Sequence, residues 1–405
     1  MKQLFFFIVL AGAGLGPALA QQEKAAPDEM ASRYKATKPY KATKEFLYAG
    51  TFSERGSKGL YVLEFDRTHQ SLKEIQVFSG GKDPNFVALH PGGHFLYAVF
   101  SEGVEKKAAG TGRRMGSVSS FSIDPLTGAL TRINEQSSEG GGPAHVSVDP
   151  KGRFVYVSNY GGGNFAVYPI KEDGSLGAPS DVIKDQGSGP MPEQEGPHVH
   201  CVIPSADGRY IYSSDLGIDE ILIYKVTDSG KMLPAEVPYV KSPPGAGPRH
   251  FAIDRDGRFA FSAEEFHSTI TSYRVDPSNG ALVAMEHLDM LPKERKPRNS
   301  DTDIHLSPDG KFLYASNSGA KGLAVFSIDS LTGKLQRVED VYTEGLFPRN
   351  FCLDKSGAYV FVANRDTDNI AVFKRNSRTG RLSFTGQTIK VPMVVSLQHL
   401  ANAGR

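Results

Sequence analysis

From about residue 45 to its end, the chain alternates short apolar runs with turns rich in Gly, Asp or Pro. Bounded runs with β-branched and aromatic residues predict strands. Comparing the chain with itself shows three phrases in fixed order. The first is a turn ending in Gly, a basic or polar residue, then an aromatic-rich strand. Copies include Pro91-Gly-Gly-His-Phe-Leu-Tyr97, Pro150-Lys-Gly-Arg-Phe-Val-Tyr156 and Pro308-Asp-Gly-Lys-Phe-Leu-Tyr314. Its glycines, Gly93, Gly152, Gly208, Gly257, Gly310 and Gly357, lie 47 to 59 residues apart. Phe46-Leu47-Tyr48 supplies a seventh strand without its turn. The second phrase is a strand followed by a Gly-tipped turn, as in Val325 to Leu335 and Val372 to Leu382, and predicts β-hairpins. The third, usually Pro and then an apolar strand, precedes each glycine, as in Asp83 to Leu89 and Gly247 to Ile253.

Each unit then holds about four strands over roughly 50 residues, the spacing of a propeller blade. The third phrase appears once more at Val391-Pro-Met-Val-Val-Ser-Leu397, with no strand after it, and the first unit lacks it. The expected fold is therefore all-β: a seven-bladed β-propeller over residues 45–401, with the C-terminal strand completing the first blade. Such closure removes the unpaired edges of an open ring.

Composition narrows the setting. A length of 405 residues ordinarily implies two or three domains, but repeats share one continuous core. A net charge of +1 gives no electrostatic reason to expect nucleic acid or an anionic membrane as partner. Lys2, the apolar run Leu4 to Leu19 and the small-residue site ending at Ala20 predict a cleaved signal peptide over residues 1–20. This implies export to the periplasm or beyond, with no membrane span after cleavage. Residues 21–44 are polar, Lys- and Ala-rich, and are expected to form a flexible linker. Cys201 and Cys352 lie in apolar strand-like runs and are expected as two buried thiols at equivalent places in different repeats. The Gly- and Lys/Arg-rich stretch Glu102 to Gly116 is expected as a solvated insertion.

Candidate chemistry follows from alignment on the repeat glycines. Eight residues before them stand Asn85, Ala144, His200, Arg249, Thr302 and Arg349, with Met393 placed in the closing strand by its preceding Pro. Eight residues after them stand Ser101, Tyr160, Leu216, Glu265, Ser318 and Arg365. One His, two Arg and one Glu at equivalent positions exceed what turn capping needs. Asp215, His250, His145 and Asp303 read first as structural, and His198 belongs to a His-x-His pair that lacks a third metal ligand at firm spacing. No metal and no cofactor are expected.

The stretch Gly187 to His200 (Gly-Ser-Gly-Pro-Met-Pro-Glu-Gln-Glu-Gly-Pro-His-Val-His), the run Ser214 to Asp219, Gly245-Ala-Gly-Pro-Arg-His250 and Glu264-Glu-Phe266 together resemble the lactonase family of propellers. That family comprises 6-phosphogluconolactonase-like and carboxy-muconate cyclase-like enzymes. The resemblance implies hydrolysis of a sugar-acid lactone at the channel mouth. It assigns catalysis to Glu265 as general base, with Arg249 and His200 polarising the carbonyl. Substrate binding falls to Arg349, with His198, Asp215, His250 and Arg365 as further candidates. Two departures matter: Ser316-Asn-Ser-Gly319 and Glu193-Gln-Glu195 each lack an Arg common in the family, which weakens the case for a phosphorylated substrate. Two other readings stay open, a lactonising cycloisomerase and a non-catalytic exported propeller that binds a glycan, peptide or envelope partner. Oligomeric state is not readable.

Overall fold

The computed structural model describes residues 44–102, 115–291 and 300–402. The expected signal peptide and all of the expected linker except Lys44 lie outside the described residues, as do residues 103–114 of the insertion. The strands form seven four-stranded antiparallel sheets. Blade 1 runs from the inside outward as Val394–Asn402, Lys44–Thr51, Leu60–Asp66 and Ser71–Phe78. Blades 2 to 7 begin with the innermost strands Lys82–Leu89, Pro143–Val148, Val199–Pro204, Pro248–Ile253, Asp301–Leu306 and Pro348–Leu353, and each follows chain order outward. The ring closes as expected: Phe46 pairs with Leu400 and Ala49 with Leu397, joining the two ends of the chain in one sheet. The only helix among the described residues is a single 3-10 turn, Pro192–Gln194.

Burial explains the sequence pattern. In blades 3 to 7 the second strand, such as Phe154–Asn159 or Tyr359–Asn364, is buried at every residue because a neighbouring blade covers each face. Such strands read as continuous apolar runs rather than alternating ones. Each gap between blades holds one apolar cluster. In the closing gap, Phe361 and Val372 of blade 7 pack with Leu47, Tyr61 and Leu63 of blade 1. At that seam Glu45 accepts from Arg67 at 2.6 Å and His399 at 3.0 Å, and Arg67 also reaches Asp354 of blade 7 at 2.8 Å.

The aromatic-x-aromatic motif in the repeats works as a lock between blades. Its second ring reaches the hairpin of the next blade: Tyr48, Tyr97, Tyr212 and Tyr314 donate to the carbonyls of Gly128, Gly174, Gly280 and Gly380 at 2.7–3.2 Å. Its first ring lies under the same glycine. A Cβ on Gly380 (φ +75°) would stand 2.3 Å from the Phe312 ring, so positive φ and close approach both demand glycine.

Cys201 and Cys352 are free and buried, as expected. They are not equivalent, however. Cys201 pairs with Ser214 and Cys352 with Phe361, two register positions apart.

Candidate active site

A repeated irregularity marks the innermost strands. In blades 2 to 7 the innermost strand slips register across Pro84/Phe86, Pro143/His145, Val199/Cys201, Pro248/His250, Asp301/Asp303 and Pro348/Asn350. The extra residue at each slip is the one eight before the repeat glycine: Asn85, Ala144, His200, Arg249, Thr302 and Arg349. A β-bulge leaves one residue outside the ladder and re-aims its side chain. Five of these six residues line one cavity, together with Phe52, Phe86, His250 and Val395. Larger surface depressions lie among turns and outer strands of blades 4 to 6, away from these groups.

The blade 1 position differs from expectation. Val394 pairs with Thr51 and Ser396 with Gly50, so Val395, not Met393, is the bulged residue. Met393 has a left-handed φ of 51°, like Asp83, Gly247 and Phe347 at the starts of other blades. Its carbonyl accepts from Phe52 N–H, just as Gly247 accepts from Glu265 and Phe347 from Arg365. Phe52 is thus the blade 1 member of the ring that contains Glu265 and Arg365. The missing turn in the first unit concealed it.

Two arginines face the cavity in different states. Arg249 is 2% exposed and held on both sides. Its Nε lies 2.9 Å from Glu265 Oε2, and Nη1 donates to the Thr302 carbonyl. Ser300 Oγ donates to the other oxygen of Glu265 at 3.0 Å. Arg349 has no hydrogen bond or ion pair among the described residues, and its guanidinium lies 5.5 Å from the Phe52 ring centroid. Burial, helped by the Arg249 charge, pushes its pKa down to about 9. A cation so placed lacks a counter-ion, and an anion or a set of lone pairs would satisfy it.

The imidazoles beside them are neutral. Burial first, then the charge of Arg249, drives His200 well below the usual histidine range. Its Nδ1 is buried without a partner. The same causes lower His250 to about 4, against the opposing pull of Asp303. His145, His200 and His250 pack edge to face, with centroids 5.2–5.5 Å apart. Among the described residues, no three His, Cys, Asp or Glu side chains converge in a way that could hold a metal ion.

The remaining candidates sit elsewhere. His198 stacks on Tyr160 at 4.4 Å and donates from Nδ1 to the Tyr160 carbonyl, at the rim. Asp215 is wholly buried and accepts from the amides of His198 and Gly217, so it braces the mouth loop and does not face the cavity. Burial raises the Asp215 carboxyl, and burial with the Asp215 charge raises its neighbour Asp185. Arg365 lies over the Phe347 ring at 3.7 Å and pairs with Asp366 at 2.7 Å. It is not among the residues lining the cavity.

The family described as lactonase, 7-bladed beta-propeller, matches residues 46–399. The chain belongs to the lactonase family of seven-bladed β-propellers. This lactonase is 33% identical to the 6-phosphogluconolactonase of Bacillus subtilis over 88% of its own length and 99% of the relative. It is 31% identical to a 6-phosphogluconolactonase of Formosa agariphila over 77% of its length and 87% of that protein. Among solved structures, the periplasmic gluconolactonase of Pseudomonas aeruginosa superimposes with a TM-score of 0.81 at 31% identity, covering 88% of the lactonase and 99% of that chain. No helix among the described residues is long and apolar enough to cross a membrane.

Proposed function

We propose that this lactonase opens the ring of an unphosphorylated sugar-acid lactone in the cavity formed by the bulged residues. The observation that carries the reading is that a fixed cation, Arg249, and an unpaired one, Arg349, line one cavity with the neutral donor-acceptor His200. Ester hydrolysis places negative charge on the carbonyl oxygen as water adds, and fixed donors lower that barrier most. Arg249 cannot swing away, since Glu265 and the Thr302 carbonyl hold it. Its role is to stabilise the oxyanion with His200. Arg349 grips a carboxylate or vicinal hydroxyls of the sugar acid.

This assignment changes the part of Glu265. Both its oxygens are engaged, by Arg249 and by Ser300. Held between these two donors, Glu265 orients Arg249. A phosphate would need more unpaired positive charge than Arg349 supplies, which favours unphosphorylated substrates. The predicted signal peptide and the periplasmic gluconolactonase among its structural neighbours support export of the mature chain. The test is pH-stat titration of residues 21–405 with glucono-δ-lactone, 6-phosphogluconolactone and aldono-γ-lactones. Acid release above the spontaneous rate, lost in Arg249→Met, is expected. No enhancement on any lactone overturns the reading in favour of a binding propeller.

A further inference from the structure

We infer that His250 is the general base that activates the hydrolytic water, and that Asp303 is its positioning residue. The inference rests on the lactone-hydrolysis reading above. The groups concerned are one residue further along each innermost strand than the bulged ring. His250 Nδ1 donates to Asp303 Oδ1 at 2.7 Å across the gap between blades 5 and 6. A hydrogen bond to an ionised carboxylate fixes the proton on Nδ1 and leaves Nε2 with a bare lone pair. That Nε2 is buried and has no hydrogen-bond partner, while its ring forms part of the cavity wall beside Arg249 and Arg349. The residue is only 4% exposed, so its neighbours hold the ring in place.

Asp303 is over-determined as an anion. Besides His250, it accepts from His305 at 2.8 Å, Asn350 at 2.6 Å and the amides of Ile304 and Phe351 at 3.0 and 3.2 Å. These donors keep its carboxyl far below the usual range despite full burial. Asn350 accepts in turn from the amide of Leu397, which ties the anchor to the closing strand. Nothing else at the cavity combines a fixed tautomer, a free acceptor and a permanent counter-charge. Glu265 has the charge, but each of its oxygens already accepts, from Arg249 and from Ser300.

The steps balance. Water adds to the lactone carbonyl carbon and loses a proton to His250 Nε2. Asp303 stabilises the resulting imidazolium, and Arg249 holds the oxyanion. The tetrahedral intermediate collapses by breaking the bond from the carbonyl carbon to the ring oxygen. That oxygen takes the proton back from Nε2 and becomes a hydroxyl. The new carboxylic acid ionises, and its proton is what a pH-stat records.

Charged and titratable groups bear on His250 from several blades: Arg249 beside it, His145 and His200 from blades 3 and 4, and Asp303 and His305 from blade 6; Arg349 of blade 7 lines the same cavity. With His250 neutral from about pH 4 upward, the rate is flat through neutral pH and falls in acid.

The experiment uses a lactone that the parent hydrolyses. His250→Gln is expected to lower kcat by about 10²–10⁴-fold with KM within about threefold, and its residual rate should climb with hydroxide concentration. His250→Gly should regain activity when imidazole is added, which a purely structural role would not produce. Asp303→Asn should reverse the tautomer and lower kcat; where it fails to fold, His305→Gln serves as the control that keeps the dyad. A His250→Gln enzyme within threefold of the parent refutes the base while leaving the lactonase reading intact. A parent inactive on every lactone removes both. Independently of activity, nitrogen-15 correlation spectra should show the Nδ1–H tautomer for His250 at neutral pH, and the Nε2–H tautomer would overturn the assignment.

Discussion

The locks between blades make a sharp prediction, because one substitution removes the same hydroxyl from two equivalent tyrosines in different states. Tyr314 donates to the Gly380 carbonyl at 2.7 Å and accepts from Arg375 Nε at 2.9 Å. Arg375 is almost fully buried and keeps Asp309 and the Gly357 carbonyl as its other partners. Tyr314→Phe therefore deletes a neutral hydrogen bond, about 1 kcal/mol, and a bond to a buried cation, about 1.5–3 kcal/mol. The retained partners of Arg375 favour a total of about 3 kcal/mol. Tyr156 occupies the same place in blade 3, but its hydroxyl is buried with no partner. Tyr156→Phe removes a group that folding stripped of water without compensation, so stability should hold or rise by up to about 1 kcal/mol.

Both variants lose one oxygen from the same site in a blade, so any small cavity cost cancels in the comparison. With about 2.1 cal/mol/K per residue, the roughly 340 described residues give an unfolding entropy near 0.7 kcal/mol/K, so Tyr314→Phe should lower Tm by about 4 °C. Thermal unfolding followed by circular dichroism at one protein concentration reads the difference directly. Tm values for the two variants within about 1 °C of each other would refute the argument that the hydroxyl bond, and not the ring, carries the lock.

Gly380→Ala should cost more than about 3 kcal/mol, since it adds a 2.3 Å contact with Phe312 to a positive φ. Gly386→Ala, also at positive φ but in open space, should cost only about 1–2 kcal/mol by the same melting assay. Asp185→Asn should stabilise the fold in a pH-dependent way. Its carboxyl is raised by burial and by Asp215, so in acid both folded and unfolded forms are protonated and the variant gains nothing. The gain should appear as pH rises past the ordinary carboxylate range and grow through neutral, and a gain largest in acid would contradict it. Arg349→Met should raise KM about 10- to 100-fold for a lactone that carries a carboxylate, as the loss of a charged hydrogen bond predicts, and change it less for a neutral one.

The blades were legible because their packing demands repetition. The residues that fill the gaps, such as Phe312 and Tyr314, recur at the same offset from each repeat glycine, and a hairpin glycine follows in each of blades 2 to 7. Counting from those glycines also found His200, Arg249 and Arg349 as one ring. What it could not show was why that ring faces the channel. The cause is a one-residue slip in each innermost strand, and a bulge leaves no mark in a single sequence beyond the recurring Pro. Where that Pro moved, at Pro392, the count went wrong by two and selected Met393 in place of Val395. Phe52 was missed because the first blade has no turn from which to count.

The neighbouring ring was harder to read for a different reason. Phe86, His145, Cys201, His250, Asp303 and Asn350 occupy one register position in six blades, and apart from the two histidines no two share the same side chain. Alignment can say that these side chains meet at the axis but not which pairs form. That depends on distances across gaps between blades, such as the 2.7 Å from His250 to Asp303. Positions where the copies agree hold the blades together, and each is answerable to the same packing seven times over. Positions where they disagree lie at the axis, where one blade's side chain meets those of the others and a single copy can change without disturbing the rest. In a closed ring of this kind, chemistry is to be sought where the repeat breaks down, and the bulged ring with the His250–Asp303 layer beneath it is where this chain departs most from its own pattern.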